Sequence, residues 1–271
     1  METTTTSLLD QPIQLTEQQT HTFRNDGHTL LRNVLTGDEL EFYRHAIVDA
    51  AGKYNSEKRK MEERDTYGKA FLQIMNLWEV DETVRQYTLA KRFGSLAAQL
   101  LGVPHVRLYH DQALFKEPGG GPTPWHQDQY YWPLDTANCV TMWMPLIDIS
   151  VEMGMLTFAT GSNKKGLVEN LEISDDSEAR LNAYVRDNAM LISRPEFMNA
   201  GDATFHFGHT LHQAPGNRTS KMREVMTIIY FADRAKVTHP NNVHQEADRQ
   251  RWLKSMEPGQ LAASDLNPVI Y

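Results

Sequence analysis

The stretch GDATFHFGHTLHQAPGNRTSKMREVMTIIYF, residues 201–231, reads as two strands joined by a polar loop. Its ends, DATFHF and EVMTIIYF, are β-branched and aromatic runs, and Pro215 and Gly216 punctuate the middle, the composition of a connection between strands. Side chains two apart in a strand share a face, so Arg223, Val225, Thr227 and Ile229 fall together. An arginine alternating with apolar residues points a charge toward a core, which is costly unless an anion meets it. A small dicarboxylate is such an anion. The same stretch carries His206, His209 and His212 in one short region.

The β grammar extends on the N-terminal side as far as Pro104. HVRLYHDQALF (105–115), CVTMWMPLI (139–147) and MLTFAT (155–160) are again short and β-rich, separated by Gly119 to Gly121 and Gly161. Without alternating helices such strands pair largely antiparallel, as a sandwich or barrel. Before Pro104 the pattern is helical. TEQQTHTFRNDG carries a Thr16 cap with Gln19 behind it and ends at Gly27; a second helix starts near Thr36, with Leu40, Tyr43, Ile47 and Ala51 at helical spacing; a third spans Glu82 to Leu101 and stops at Gly102. The charged stretch Asn55 to Asp65 reads as a solvated helix or mobile loop, with a lid over a site as the sharper alternative. The expectation is one domain: a loosely ordered start at 1–14, a mainly helical part at 15–103, a β-barrel core at 104–235 and a C-terminal segment at 236–271.

Bulk composition narrows the function. The chain has 271 residues with a formal charge of −8 and no basic stripe, so the electrostatic footprint of a nucleic-acid binder is missing. Cys139 is the single cysteine, which excludes an intramolecular disulfide or a cysteine-rich zinc module and fits a reducing cytosol. No segment approaches the roughly 20 apolar residues that span a bilayer. A cytoplasmic enzyme or binding protein, monomer or homodimer, without membrane or nucleic-acid partners, is the expectation.

In WHQDQYYW, residues 125–132, an extended chain turns His126 and Asp128 to one face and Gln127 to the other. Alone, this pair is a weak signal; its plain alternative is a hydrogen-bonded histidine beside a surface aspartate. Joined to one of the downstream histidines it makes two imidazoles and one carboxylate. That facial set leaves positions open on Fe(II) for a bidentate 2-oxo acid and O₂. Arg223 then has a role, gripping the far carboxylate of the co-substrate.

These motifs together resemble the phytanoyl-CoA dioxygenase family. The resemblance rests on HQD at 126–128, WMPLID at 143–148, GMLTFATGSN at 154–163, GDATF at 201–205 and HQAPGNRTSKMR at 212–223, with FRNDGHTLLRNVLTGDEL at 23–40 similar to the family's N-terminal entry. It implies a double-stranded β-helix, a jelly-roll barrel that binds Fe(II) and takes 2-oxoglutarate and O₂ as co-substrates. It also implies His126, Asp128 and His212 as iron ligands, Arg223 as the 2-oxoglutarate anchor and Trp143 as a wall of that pocket. His206 and His209 do not match the ligand position and read as barrel or rim residues. The small hydroxyl residue the family often carries after the distal histidine is Ala214 here, so Gln112 or Thr219 is expected to supply that hydrogen bond, and Asn163 stands where a histidine is usual. Asp128 argues against the related halogenases, which lack that carboxylate.

The implied reaction is oxidation of an unactivated C–H bond, ending in hydroxylation, epimerisation, cyclisation or desaturation. Tyr130, Tyr131 and Trp132 beyond the metal pair are either ordinary aromatic packing or a wall for a cyclic small-molecule substrate. No Lys or Arg crowds them, which favours a neutral specialised-metabolite intermediate over a polyphosphate-bearing thioester. Two other readings stand beside this one: a metal-dependent jelly-roll isomerase or hydrolase that does not use 2-oxoglutarate, and a non-catalytic jelly-roll binding protein.

Overall fold

A computed structural model describes residues 8–169 and 172–271; of the expected loose start, residues 1–7 lie outside the described residues. The rest of that start is anchored rather than loose. Leu9 is fully buried, and Gln99 and Arg92 donate to the carbonyls of Ile13 and Gln11.

Helix α1 (Glu17–Asp26) follows from its caps: Thr16 and Gln19 form a reciprocal capping box, and Gly27 closes it with φ 84°. Strand β1 (His28–Leu31) leads to α2 (Gly37–Tyr54). The charged segment after it is irregular except for a 3-10 turn at Met61–Glu63, and is followed by α3 (Thr66–Ala70) and β2 (Leu72–Met75). The single helix expected over 82–101 is two, α4 (Glu82–Thr88) and α5 (Lys91–Leu101), because the backbone of Ala90 turns extended. The break changes direction, so that α4 packs on α2 while α5 lies against the sheet.

The β half contains β3 (Val106–Phe115), β4 (Thr123–His126), β5 (Cys139–Pro145), β6 (Ile149–Ser150) and β7 (Thr157–Ala159). After α6 (Asp175–Asp187) come β8 (Ile192–Ser193), β9 (Phe197–Met198), β10 (Ala203–Phe207), β11 (His212–Ala214) and β12 (Val225–Ala232), then α7 (Val243–Trp252). A six-stranded sheet runs β1-β10-β5-β12-β3-β2 and faces a four-stranded sheet β4-β11-β7-β8, every pair antiparallel. The fold is mainly β with flanking N-terminal helices, as expected.

Alternation along the large sheet divides its residues. Leu108, Met142, Phe205, Ile228 and Tyr230 belong to the apolar core shared with the helices, including Phe23, Ile47 and Leu96. The opposite face, with Gln112, Trp143, His206 and Thr227, lines a cavity between the sheets. Asp111, on the helix side of β3, is fully buried and fastens the layers together: it accepts from Leu77 N, Trp78 N and the Thr88 hydroxyl at 2.9, 3.1 and 2.7 Å. No helix among the described residues is long and apolar enough to cross a membrane.

Candidate metal centre and its cavity

His126 and His212 are direct partners across the antiparallel pair β4 and β11, which sets their rings 4.0 Å apart. Each Nδ1 lies against a backbone carbonyl, Pro124 O at 2.8 Å and Thr210 O at 2.9 Å. A carbonyl only accepts, so Nδ1 carries the proton and the Nε2 lone pair faces inward. Both Nε2 atoms are 3.6 Å from Asp128 Oδ1. Two nitrogen lone pairs and a carboxylate oxygen thus converge with no proton among them, an arrangement that a cation completes. His126, Asp128 and His212 are the group among the described residues whose ligand atoms come within 4.8 Å of one another.

The second oxygen of Asp128 is held from the large sheet: Thr141 donates to Oδ2 at 2.7 Å and His206 Nε2 lies 3.2 Å away. Burial penalises this carboxylate, but the facing His212 and the His206 hydrogen bond outweigh it and hold Asp128 below the usual carboxylate range. Burial, reinforced by the neighbouring imidazole, pushes His126 down to about 3 and His212 to about 4. Neutral imidazoles and an ionised carboxylate are the protonation states a divalent metal requires. Two imidazoles with one carboxylate, and no thiolate, suit Fe(II) with open positions.

Strand β4 ends at His126, so Asp128 opens a 3-10 turn (Asp128–Tyr131) rather than continuing the strand as expected. Gln127 is nonetheless extended, with φ −125° and ψ 125°, and the alternation survives. Its side chain turns away and donates to the carbonyls of Gly166 and His209.

The cavity holds about 260 Å³. Arg223, only 2% exposed, lines it from just before β12 and stacks 5.3 Å over Trp143. Its Nη1 donates to Gly154 O at 2.6 Å, and its Nε has no partner. Among the described residues no carboxylate pairs with it, so a buried cation faces the cavity without a counter-charge. Burial pushes it down to about 9, still protonated at neutral pH. Gln112 and Trp143 also line the cavity, as do Tyr131 and Trp132.

Two expectations need correction. Thr219 does not line the cavity; its hydroxyl donates to Asn217 Oδ1 at 2.8 Å inside its own loop. Tyr130 points out of the cavity and packs on Tyr131 and His244. His206, expected as a barrel or rim residue that is not a ligand, stands on β10 outside the converging set; from there it lines the cavity and holds Asp128. His209 contributes a carbonyl, to Gln127.

Two features escaped the sequence reading, one in the cavity wall and one buried beside it. Thr123 lines the cavity directly across β4 and β11 from Ala214, placing a hydroxyl beside the position where one is missing. Simple alternation from His126 would turn Thr123 outward; a register shift between His212 and Ala214 brings it in. Lys116, fully buried and paired with Arg223 through the backbone, reaches Gly121 O at 2.5 Å and the Thr123 hydroxyl at 3.5 Å. Burial, then the nearby Arg223, pushes Lys116 down to about 6.

Comparison with known proteins places the chain among others. The family described as phytanoyl-CoA dioxygenase matches residues 23–225. A phytanoyl-CoA dioxygenase of Arabidopsis thaliana is 29% identical over 156 residues, 56% of this chain and 53% of that protein, so the chain matches about half of that relative's length. A probable alpha-ketoglutarate-dependent hypophosphite dioxygenase of Stutzerimonas stutzeri is 24% identical over 229 residues, 79% of this chain and 78% of that one. Among solved structures, the non-heme alpha ketoglutarate dependent carbocyclase SnoK from nogalamycin biosynthesis superposes with TM-score 0.79 at 22% identity, covering 96% of this chain and all of that one. The epimerase SnoN in complex with Fe3+, alpha ketoglutarate and nogalamycin RO gives TM-score 0.77 at 22% identity, covering 94% and 98%. At such identities the structures establish the fold, a jelly roll.

Proposed function

This chain belongs to the phytanoyl-CoA dioxygenase family, and from that premise we propose that it is an Fe(II)- and 2-oxoglutarate-dependent oxygenase that oxidises an unactivated C–H bond of a small organic molecule. One observation carries the reading: the inward lone pairs of His126 and His212 meet Asp128 Oδ1 in a cavity that an unpaired buried Arg223 also lines. A metal-dependent isomerase or hydrolase has use for the first half of this arrangement but none for the second.

In this reading His126, Asp128 and His212 hold the iron, with Thr141 and His206 fixing the carboxylate that binds it. Arg223 takes the far carboxylate of 2-oxoglutarate, oriented by Gly154 O and by the face of Trp143. Thr123 and Gln112 stand along the same cavity as hydrogen-bonding partners for the co-substrate. Fe(II) with 2-oxoglutarate and O₂ supplies the oxidant that removes a hydrogen atom from carbon. Leu114, Leu156 and Ile229 keep the chamber apolar and water out. The relative placement of substrate and metal selects hydroxylation, epimerisation, cyclisation or desaturation.

The test is anaerobic titration with Fe(II) and 2-oxoglutarate. The expected result is a visible charge-transfer band that needs both additions and is absent in Asp128→Ala; oxygen should then yield succinate. Wild-type protein without the band would refute the reading.

A further inference from the structure

Strand β3 departs from regular alternation at one place. Its register with β12 shifts between Ile229 and Tyr230, so that His110 faces Ile229 while Leu108 faces Tyr230 and Tyr109 is the extra residue. A bulge of this kind re-aims side chains. Leu108 stays in the helix-side core, but Tyr109 swings into the cluster formed with Trp132 and Trp252, beside His110, which lines the cavity. Two consecutive residues therefore reach toward α7.

Helix α7 is pinned to the same end of the cavity. Asn242 and Gln245 donate to Tyr130 O at 3.3 and 3.0 Å, fixing the helix to the turn that carries Asp128. Asp248, Arg251 and Trp252 then line the cavity. The Tyr109 hydroxyl donates to Asp248 Oδ2 at 2.9 Å, and the Arg251 guanidinium stacks 4.3 Å over Trp252. No ion pair joins Asp248 to Arg251 or to any other cation among the described residues. His110 packs on Trp252 at 5.1 Å and is 5% exposed. Its ring brings a polar group to the cavity wall beside Trp252.

Resting on the oxygenase reading, we infer that α7 and the β3 bulge form a substrate-recognition pole for a neutral, hydroxylated ring compound. Asp248 accepts the substrate's hydroxyl proton, Arg251 and His110 take up its remaining hydrogen-bonding capacity, and the faces of Trp132 and Trp252 hold the ring. The chemistry follows from the set. Burial raises Asp248 to about 7, so above that pH the carboxylate and the Arg251 guanidinium offer an acceptor and a donor with no net charge; neither an anionic nor a cationic substrate is then matched, whereas an alcohol uses both. Aromatic walls on either side fit a cyclic body. His110 lies within the electrostatic reach of both Asp128 and Arg251, which sets this pole beside the metal centre in one continuous chamber.

Matched probes test the inference: 2-tetralol and tetralin, identical ring systems with and without the hydroxyl. The anaerobic Fe(II) and 2-oxoglutarate complex is formed first, and its visible band checks the oxygenase reading on its own. Binding of each probe is then followed by tryptophan fluorescence and by the change in that band. Wild type should bind the alcohol about tenfold more tightly than the hydrocarbon. Asp248→Ala and Arg251→Ala should abolish that preference, so that the alcohol binds no more tightly than tetralin, while the band still reports an intact metal and 2-oxoglutarate site. Tyr109→Phe, which keeps α7 intact and removes only one donor to Asp248, should alter the preference for the alcohol alone. A normal band with equal binding of the two probes by wild type, with no binding of the alcohol, or with a preference that survives Asp248→Ala overturns the inference. Loss of the band in wild type overturns the oxygenase reading instead.

Discussion

Thr141 donates its hydroxyl to Asp128 Oδ2 at 2.7 Å, and so commits the carboxylate to presenting Oδ1 toward His126 and His212, each 3.6 Å away. The two ligand-bearing segments belong to one side of the barrel and Thr141 to the other. The metal centre is therefore braced across the cavity.

Thr141→Val keeps the shape and removes the bond. The carboxylate is then held from the large sheet by His206 alone, and Fe(II) affinity should fall by about 10- to 100-fold, as for other outer partners of metal ligands. Calorimetric or competition titration with Fe(II) measures it, with far-UV circular dichroism as the check on folding. Unchanged affinity would show that Asp128 is positioned by other contacts.

Arg223→Leu separates the two halves of the site. Fe(II) binding should persist, because Arg223 touches none of the three ligands, while the 2-oxoglutarate concentration needed for the visible band rises at least about tenfold. If the band forms at the wild-type concentration, the anchor lies elsewhere.

Lys116 makes stability depend on pH. Its pKa is about 6 in the folded protein against 10.5 for the free side chain, because burial and Arg223 disfavour the charge. Between those values the unfolded chain holds the additional proton. Native stability therefore gains from this residue as pH rises toward 10.5, and the penalty is complete below about 6. Lys116→Met in metal-free protein should raise Tm most near pH 6, with the gain shrinking toward pH 10. A gain independent of pH would mean that packing, not charge, is responsible.

Asp111→Ala leaves Leu77 N, Trp78 N and the Thr88 hydroxyl without their buried acceptor. The loss should be about 3 kcal/mol or more, read from urea unfolding. The variant should still bind Fe(II) when folded, since Asp111 faces the helices and not the cavity. A loss of metal affinity without loss of stability would contradict that division of the sheet.

Local signals were legible in the sequence wherever the physics is local. The Thr16 box and Gly27 stop delimit α1 because caps satisfy backbone groups within one turn. The β-branched runs at 106–115, 139–145 and 225–232 are strands because their period matches a sheet buried on both faces. The His126 and Asp128 spacing survived even though its strand stops early, since one extended residue, Gln127, is enough to keep two side chains on one side. Leu89 and Ala90 carry no such local mark, and the division of the expected helix there answers to what α4 and α5 each pack against.

What the sequence by itself determined is the set of parts: helices first, antiparallel strands after, a histidine and aspartate pair, three further histidines and an inward arginine. Tertiary structure alone decided how they meet. It set His212, the ligand that the family resemblance implied, directly across from His126, gave His206 a carboxylate to hold, moved Thr123 inward through a register shift and left Thr219 outside. It also carried Asp248 and Arg251 from a distant helix to the cavity. These outcomes depend on contacts between residues far apart in the chain, where strand register and bulges set which face a side chain occupies, and a one-residue shift reverses it.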